Sequence, residues 1–147
     1  MGRRKKSKEY PKPIAEYIYN TRFSMKIAPS RILNSGSGVF AQESIPANTS
    51  LGEYTGMKRH INEPTDGAYS LSLDDEYYID AFEYPRGVLA MINDSRFTEF
   101  DYNCEFKIYV DRAEVWTIGP IQQGEELYID YGDEYWTHRE YMYEMER

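Results

Sequence analysis

The chain has 147 residues, of which 41% are hydrophobic and 29% charged, a balance typical of one globular domain with a substantial core. The formal charge is −8, and five positive charges lie within the first eight residues, so residues 9–147 carry −13. An acidic body repels phosphate, which disfavours direct nucleic-acid binding except through the N-terminal arm. The same charge suits a basic protein partner, although a role in solubility alone explains it equally well.

Cysteine usage and hydropathy exclude several further classes. Cys104 is the only cysteine, so the chain has neither an internal disulfide nor a cysteine-rich zinc cluster, and we predict no metal site. No run of 18 apolar residues and no secretory signal is visible. We therefore expect an intracellular protein without a membrane span, in the nucleus or the cytoplasm. The basic run at residues 3–6 is either a nuclear address or a simple tail.

The first half of the chain predicts short strands separated by turns. Residues 1–12 are polar, basic and interrupted by proline, which indicates a flexible arm. Residues 13–23 form a short flank that can hold a helix with Pro13 in its first turn. The glycines of residues 34–38 indicate a turn, and residues 62–67 a loop. Strands are predicted at residues 24–27, 31–33, 39–41 and 50–54.

The second half continues this pattern. Tyr69, Leu71 and Leu73 alternate with small residues, which predicts a half-buried strand at 68–73 paired with residues 76–80. From Asp133 the chain lacks glycine and proline, so we expect a closing helix capped by Asp133. The class is therefore mainly β with few short helices. The remaining predictions are a helical turn or two at 86–92, a loop at 96–102, a hairpin of 105–110 with 113–118, and a strand at 126–130.

Several motifs then occur in register. The turn Ser35-Gly-Ser-Gly-Val-Phe-Ala41 precedes a strand that ends in Glu53-Tyr-Thr-Gly56, and the chain closes with Gly124-Glu-Glu-Leu-Tyr-Ile-Asp-Tyr-Gly132. This order resembles a SET domain over residues 24–136, with 137–147 as a helical extension. The resemblance implies a fold of small sheets with a knot-like threading of the C-terminal segment. It also implies a protein-lysine methyltransferase that uses S-adenosylmethionine on a basic protein or peptide, for which a histone tail is a candidate.

The resemblance also assigns site residues. Tyr131 would be the catalytic residue that orients the amine, with Tyr69 as a second, while Tyr54 and Ile129 would line the substrate channel. Ile129 stands where relatives often have Phe or Tyr, which leaves room for higher methylation states. Zinc-binding relatives close the site with cysteines; here the segment after Asp133 would do so. The implied cofactor-binding residues are Ser35, Gly36, Ser37, Gly38, Tyr69, Asn93, Asp94, Tyr131, Tyr135 and Trp136.

One motif departs from the family pattern. In Ala90-Met-Ile-Asn-Asp-Ser95, Ala90 replaces an arginine that can contact the cofactor, and Asp94 replaces a histidine. A carboxylate close to the positive sulfonium or ammonium of the cofactor would be favourable. The alternative is a catalytically inactive SET-like interaction module. The acidic turn at residues 74–76 either borders a peptide groove or is a solvated hairpin tip, and the oligomeric state stays open.

Overall fold

The computed structural model describes residues 20–63, 69–82, 86–133 and 135–136. The predicted N-terminal arm, most of the 13–23 flank and the 137–147 extension lie outside these residues, so the predicted domain boundaries and closing helix stay predictions. Within the described part, Asp133, Tyr135 and Trp136 are helical.

Three small antiparallel sheets make up the described part of the chain. β1 pairs with β2, β3 pairs with β8 and β8 with β7, and β6 pairs with both β4 and β5. One 3₁₀ helix, Val88–Met91, lies between β6 and β7. The predicted class, mainly β with few short helices, is thus confirmed. The strands are β1 (Met25–Pro29), β2 (Ser37–Ala41), β3 (Ser50–Glu53), β4 (Met57–His60), β5 (Ser70–Ser72), β6 (Tyr77–Asp80), β7 (Cys104–Ile108) and β8 (Ala113–Thr117).

The structure departs from the predicted strands at residues 31–33 and at strand β4, and also at residues 126–130. Residues 31–33 form a turn instead of a strand, because Asn34 (φ 64°) and Gly36 (φ 66°) reverse the chain and the amide of Ser30 donates to the carbonyl of Gly36. Strand β4 had no predicted counterpart. Its sequence, Met-Lys-Arg-His, is polar, and it forms an edge strand that needs only one neighbour, so hydrophobic alternation could not reveal it.

The core gathers residues from all three sheets and from the 3₁₀ helix. Every residue of that helix is buried, which places the chain that follows it beside the core. Ala90, at the position where the family pattern has arginine, is one of these buried residues. The fully buried members with the largest side chains include Ile45, Leu51, Leu89, Ile92, Ile121, Leu127 and Ile129.

The segment at residues 125–131 is bound by three separate parts of the chain. It pairs antiparallel with β2, through hydrogen bonds of 2.9 Å from Ala41 N to Glu125 O and 2.8 Å from Leu127 N to Val39 O. Further along, the amide of Ile129 donates to Asn93 O, and the amide of Cys104 donates to the carbonyl of Tyr128. Because its residues pair in turn with Phe40, Asn93 and Cys104, the segment forms isolated bridges rather than the predicted regular strand. The knot-like threading stays a prediction.

A buried carboxylate begins this segment. Glu126 accepts hydrogen bonds from the Ser30 hydroxyl (2.6 Å), the Arg31 amide (2.8 Å) and the Tyr128 hydroxyl (3.0 Å). The carboxylate lies where a side chain on residue 38 would begin, and Gly38 leaves that space open. Gly38 is therefore needed for the approach of Glu126, a reason that is independent of any cofactor.

We expect Gly38→Ala to lower the free energy of unfolding by about 2–3 kcal/mol, because the new methyl displaces a bonded, buried carboxylate. Chemical denaturation measures this change. Gly119→Ala is the matched control, since a methyl there meets no atom within 4 Å, and we expect a change within about 0.5 kcal/mol. Equal stabilities for the two variants would contradict the packing argument.

Candidate active site

Tyr131 lies beside the segment at residues 92–95, which follows the 3₁₀ helix, although 37 positions separate it from Asp94. Its amide donates to Asp94 Oδ2 at 2.8 Å, and its hydroxyl donates to the carbonyl of Ile92 at 2.6 Å. Backbone and side chain of Tyr131 are thus both anchored to the same segment. The structure therefore brings Tyr131 to the Asn93 region, as the sequence predicts.

The four predicted site tyrosines form two contacting pairs. The rings of Tyr131 and Tyr135 meet edge to face, with centroids 4.8 Å apart. The Tyr54 hydroxyl donates to the carbonyl of Tyr69 at 2.8 Å. Burial raises the pKa of Tyr54 well above its usual value, and Tyr69 and Tyr135 act in the same direction. These tyrosines come from three separate parts of the sequence, and the raised pKa keeps the Tyr54 phenol protonated at neutral pH.

The predicted cofactor-binding turn is joined to the Asn93 region. The side-chain amide of Asn93 donates to the carbonyl of Ser37 at 3.0 Å. Two buried hydroxyls flank this link, those of Ser35 and Ser95, and neither has a hydrogen-bond partner among the described residues. A buried hydroxyl without a partner is costly unless a ligand supplies one. The pair therefore fits a polar ligand bound between the two segments.

Asp94 does not offer its carboxylate to a ligand. Its Oδ1 accepts from the Arg96 amide and the Tyr102 hydroxyl, and its Oδ2 accepts from the Tyr131 amide and the Trp136 indole. A carboxylate has about four acceptor sites, and four donors use them here. The Asp94 carboxylate is therefore not arranged for the direct interaction with a cofactor sulfonium or ammonium that was considered from the sequence.

Trp136 and Tyr135, expected to share one task, have different surroundings. Trp136 is only 3% exposed, and its ring lies nearly parallel to that of Tyr131, at 9° and 6.4 Å between centroids. Phe97 meets the ring edge on, and itself is 68% exposed with a φ of 69°. Trp136 is therefore a buried side chain packed between other aromatic rings, whereas Tyr135 is half-buried.

Comparison with known proteins identifies the fold. The family model described as SET domain matches residues 36–132, about two thirds of the chain. The chain belongs to the SET-domain family. No curated protein matches it.

Two solved structures are similar to this SET domain. The methyltransferase domain of human PR domain-containing protein 2 has 22% sequence identity and a TM-score of 0.60, over 74% of this chain and 76% of that one. A humanized mutant of the Chaetomium thermophilum Polycomb Repressive Complex 2, bound to the inhibitor GSK126, has 25% identity and a TM-score of 0.63. That match covers 76% of this chain but only 15% of the other. Both matches agree with the SET fold.

The sequence did not predict the roles of three residues around this SET-domain site. Asn103 donates to Glu126 O and accepts from the Tyr128 amide at 2.8 Å, so it pairs with the C-terminal segment through its side chain. Arg86 is buried, donates to the carbonyls of Ala81 and Phe82, and lies 4.1 Å above the Tyr69 ring. The third is Glu126. The local pattern does not reveal these contacts, even for Glu126 within the closing motif, because each residue contacts residues distant in sequence or an aromatic face.

The remaining predicted residues have defined surroundings. Ile129, assigned to the channel, is 1% exposed and belongs to the core. Asp74 accepts from the amides of Glu76 and Tyr77 and closes the β5–β6 turn, and these hydrogen bonds lower the pKa of Asp74. The described residues contain no cluster of three or more potential metal ligands, and no helix among them is long and apolar enough to cross a membrane.

We expect Cys104 to be unreactive in the folded protein, because burial raises the pKa of its thiol far above the usual range. Ellman's reagent at pH 8 should label less than about a tenth of the thiol within minutes, and all of it after unfolding in guanidinium. Rapid labelling of the native protein would contradict the buried position of Cys104.

Proposed function

We propose that this chain is an S-adenosylmethionine-dependent protein-lysine N-methyltransferase that acts on a basic protein segment, such as a histone tail, in the nucleus or cytoplasm. Membership of the SET-domain family supports a methyltransferase-like function. The observation that carries the finer proposal is the Tyr131 hydroxyl, which donates to the Ile92 carbonyl while the Tyr131 ring packs against Tyr135.

The residues present fit the cofactor. The hydroxyls of Ser35 and Ser95, buried without a partner among the described residues, lie in the two segments that Asn93 connects. A polar ligand between these segments would satisfy both. When bound there, S-adenosylmethionine supplies an activated methyl group. In this proposal the chain contributes the polar walls at 35–38 and 93–95, and Tyr135 contributes an aromatic edge.

Tyr131 would orient the substrate amine. Because the Tyr131 hydroxyl donates its proton to the carbonyl of Ile92, its oxygen would meet the lysine nitrogen as a hydrogen-bond acceptor. The direction of this hydrogen bond would make the Tyr131 oxygen an acceptor at the reacting centre. Holding the nitrogen in line with the methyl carbon is the main contribution that the chain can make to such a displacement.

The attacking amine must be neutral. At an ordinary pKa of about 10.4, roughly one lysine in a thousand is neutral near physiological pH. Desolvation and a nearby positive charge both lower that pKa. Tyr54 and Tyr69 would provide a dry wall, and the buried Arg86 guanidinium above Tyr69 pairs with no carboxylate of a described residue. His60, the last residue of strand β4, is no candidate base, since its Nδ1 accepts a hydrogen bond from the Asn62 amide.

The acidic body supports a basic protein substrate, since residues 9–147 carry −13. In the turn at residues 74–76, Asp75 and Glu76 are exposed, and the Asp74 carboxylate is used by the turn itself. Attraction to a cationic peptide would thus come from the charges of Asp74, Asp75 and Glu76 and from the overall field, with Asp74 Oδ1 already bonded within the turn.

An inactive SET-like module is the second candidate, and two observations favour it. Ala90 is buried in the core where the family pattern has a cofactor-contacting arginine, and the Asp94 carboxylate is saturated by protein donors. Calorimetric titration with S-adenosylmethionine separates the candidates. Binding at micromolar concentration favours the enzyme, and absence of binding up to the high micromolar range favours the module.

We expect Tyr131→Phe to reduce methyl transfer at least a hundredfold while changing the cofactor Kd less than about threefold, because only the orienting hydroxyl is lost. The assay is transfer of labelled methyl to histones and to proteins of a cell extract. Tyr109→Phe is the matched control, since Tyr109 lies under Arg112 at the β7–β8 turn and should keep full activity. Equal labelling by wild type and Tyr131→Phe would refute the catalytic assignment.

We expect the wild-type protein to add more than one methyl group, because the aliphatic Ile129 offers no hydroxyl to hold a water and is smaller than Phe or Tyr. Mass spectrometry of the product with excess enzyme measures this. Ile129→Phe should shift the product toward monomethyl lysine, and Ile108→Phe at an exposed site should not. A strictly monomethyl product from wild type would count against the assignment of Ile129.

A further inference from the structure

We infer that Asp94 is a positioning residue, which holds Tyr131 and Trp136 in place and so closes the cofactor site without a metal cluster. This inference rests on the proposed function and adds to it the means by which the C-terminal segment is held. The carboxylate is 5% exposed, and its four hydrogen bonds are 2.6–2.9 Å long. Such short bonds to an ionised acceptor are among the stronger ones in proteins.

The two oxygens of Asp94 accept hydrogen bonds from different parts of the chain. Oδ1 holds its own loop, through the Arg96 amide at 2.7 Å and the Tyr102 hydroxyl at 2.9 Å. Oδ2 reaches the C-terminal segment, through the Tyr131 amide at 2.8 Å and the Trp136 indole at 2.6 Å. Burial raises the pKa of Tyr102 to about 12, so this phenol remains a donor. One side chain thus couples the 94–102 loop to residues 131 and 136.

A second tie joins the same two segments. The Arg96 guanidinium lies 3.2 Å from Asp130 and 2.9 Å from Asp133, and 5.9 Å from the centre of the Trp136 ring. Asp130 and Asp133 are more exposed than Asp94, so this tie is weaker and screened by salt. The buried carboxylate is therefore the dominant link.

Asparagine and histidine cannot replace this arrangement. An amide at position 94 presents an NH₂ group to one of the two donor pairs, and a neutral imidazole has a single acceptor nitrogen. Either change leaves buried N–H groups without partners. The described residues offer no metal site that could substitute for the link. The Asp94 carboxylate, which departs from the family pattern, thus takes over a closing role.

The test compares Asp94→Asn with Asp101→Asn, an exposed acid in the same loop. Without any cofactor, solvent exchange of the Trp136 indole N–H is followed by NMR, with Trp116→Phe assigning the resonance. We expect Asp94→Asn to accelerate that exchange and to raise the S-adenosylmethionine Kd, each about tenfold or more, and Asp101→Asn to change neither more than twofold. Unchanged exchange and Kd in Asp94→Asn would overturn the inference.

Trp136→Phe provides a second arm that keeps an aromatic ring and removes the indole donor together with part of the ring volume. If Asp94 acts through Trp136, the combined variant raises the Kd less than the product of the single effects; independent, multiplicative effects would overturn the coupling. Should Asp94→Asn not fold, the inference is judged by Trp136→Phe alone, which must raise the Kd at least threefold. Failure of the wild type to bind cofactor would overturn the closing role and the proposed function, while the exchange result still judges the Asp94–Trp136 link.

Discussion

The hydrogen bonds that bind residues 125–131 to three separate parts of the chain are the constraint on which the rest of the structure depends. A buried carboxylate binds each end of this segment. Glu126 accepts hydrogen bonds from Ser30 and Arg31, and Asp94 accepts hydrogen bonds from Tyr131 and Trp136. A buried charge is tolerated only when donors surround it. The positions of the turns, of Gly38 and of the C-terminal aromatic residues therefore follow from satisfying these two groups.

The same constraint assembles the candidate site. Tyr131 occurs near the end of the described chain, yet its hydroxyl and amide are both bound to the 92–94 segment, and Asn93 joins that segment to Ser37. The lining is thus organised before any ligand enters. Pre-organised groups of this kind do not have to be ordered at the moment of reaction. Among the described residues the buried hydroxyls of Ser35 and Ser95 lack a hydrogen-bond partner, and we propose that the bound cofactor supplies one.

Local patterns were most informative where an element depends on its neighbours in sequence. The β5–β6 and β7–β8 hairpins lie within a few residues of their predicted ranges, because alternation and turn residues specify an antiparallel pair locally. The predictions failed for residues 31–33, which are drawn into a turn by Glu126, and for β4, whose polar residues suit an edge strand. The predicted strand at 126–130 became a set of bridges, since three different partners share it.

The sequence by itself determined the mainly β class and the SET-domain family, because ordered motifs such as Ser35–Ala41 and Gly124–Gly132 are short and contiguous; the roles of the site residues stay predictions. It also placed Tyr131 beside Asn93, but only through the resemblance. Tertiary structure alone decided how Asp94 and Trp136 are used. The sequence shows an aspartate at position 94 but not whether its carboxylate faces a cofactor or is saturated by four protein donors. Only the folded positions of distant amide, phenol and indole groups distinguish the two cases.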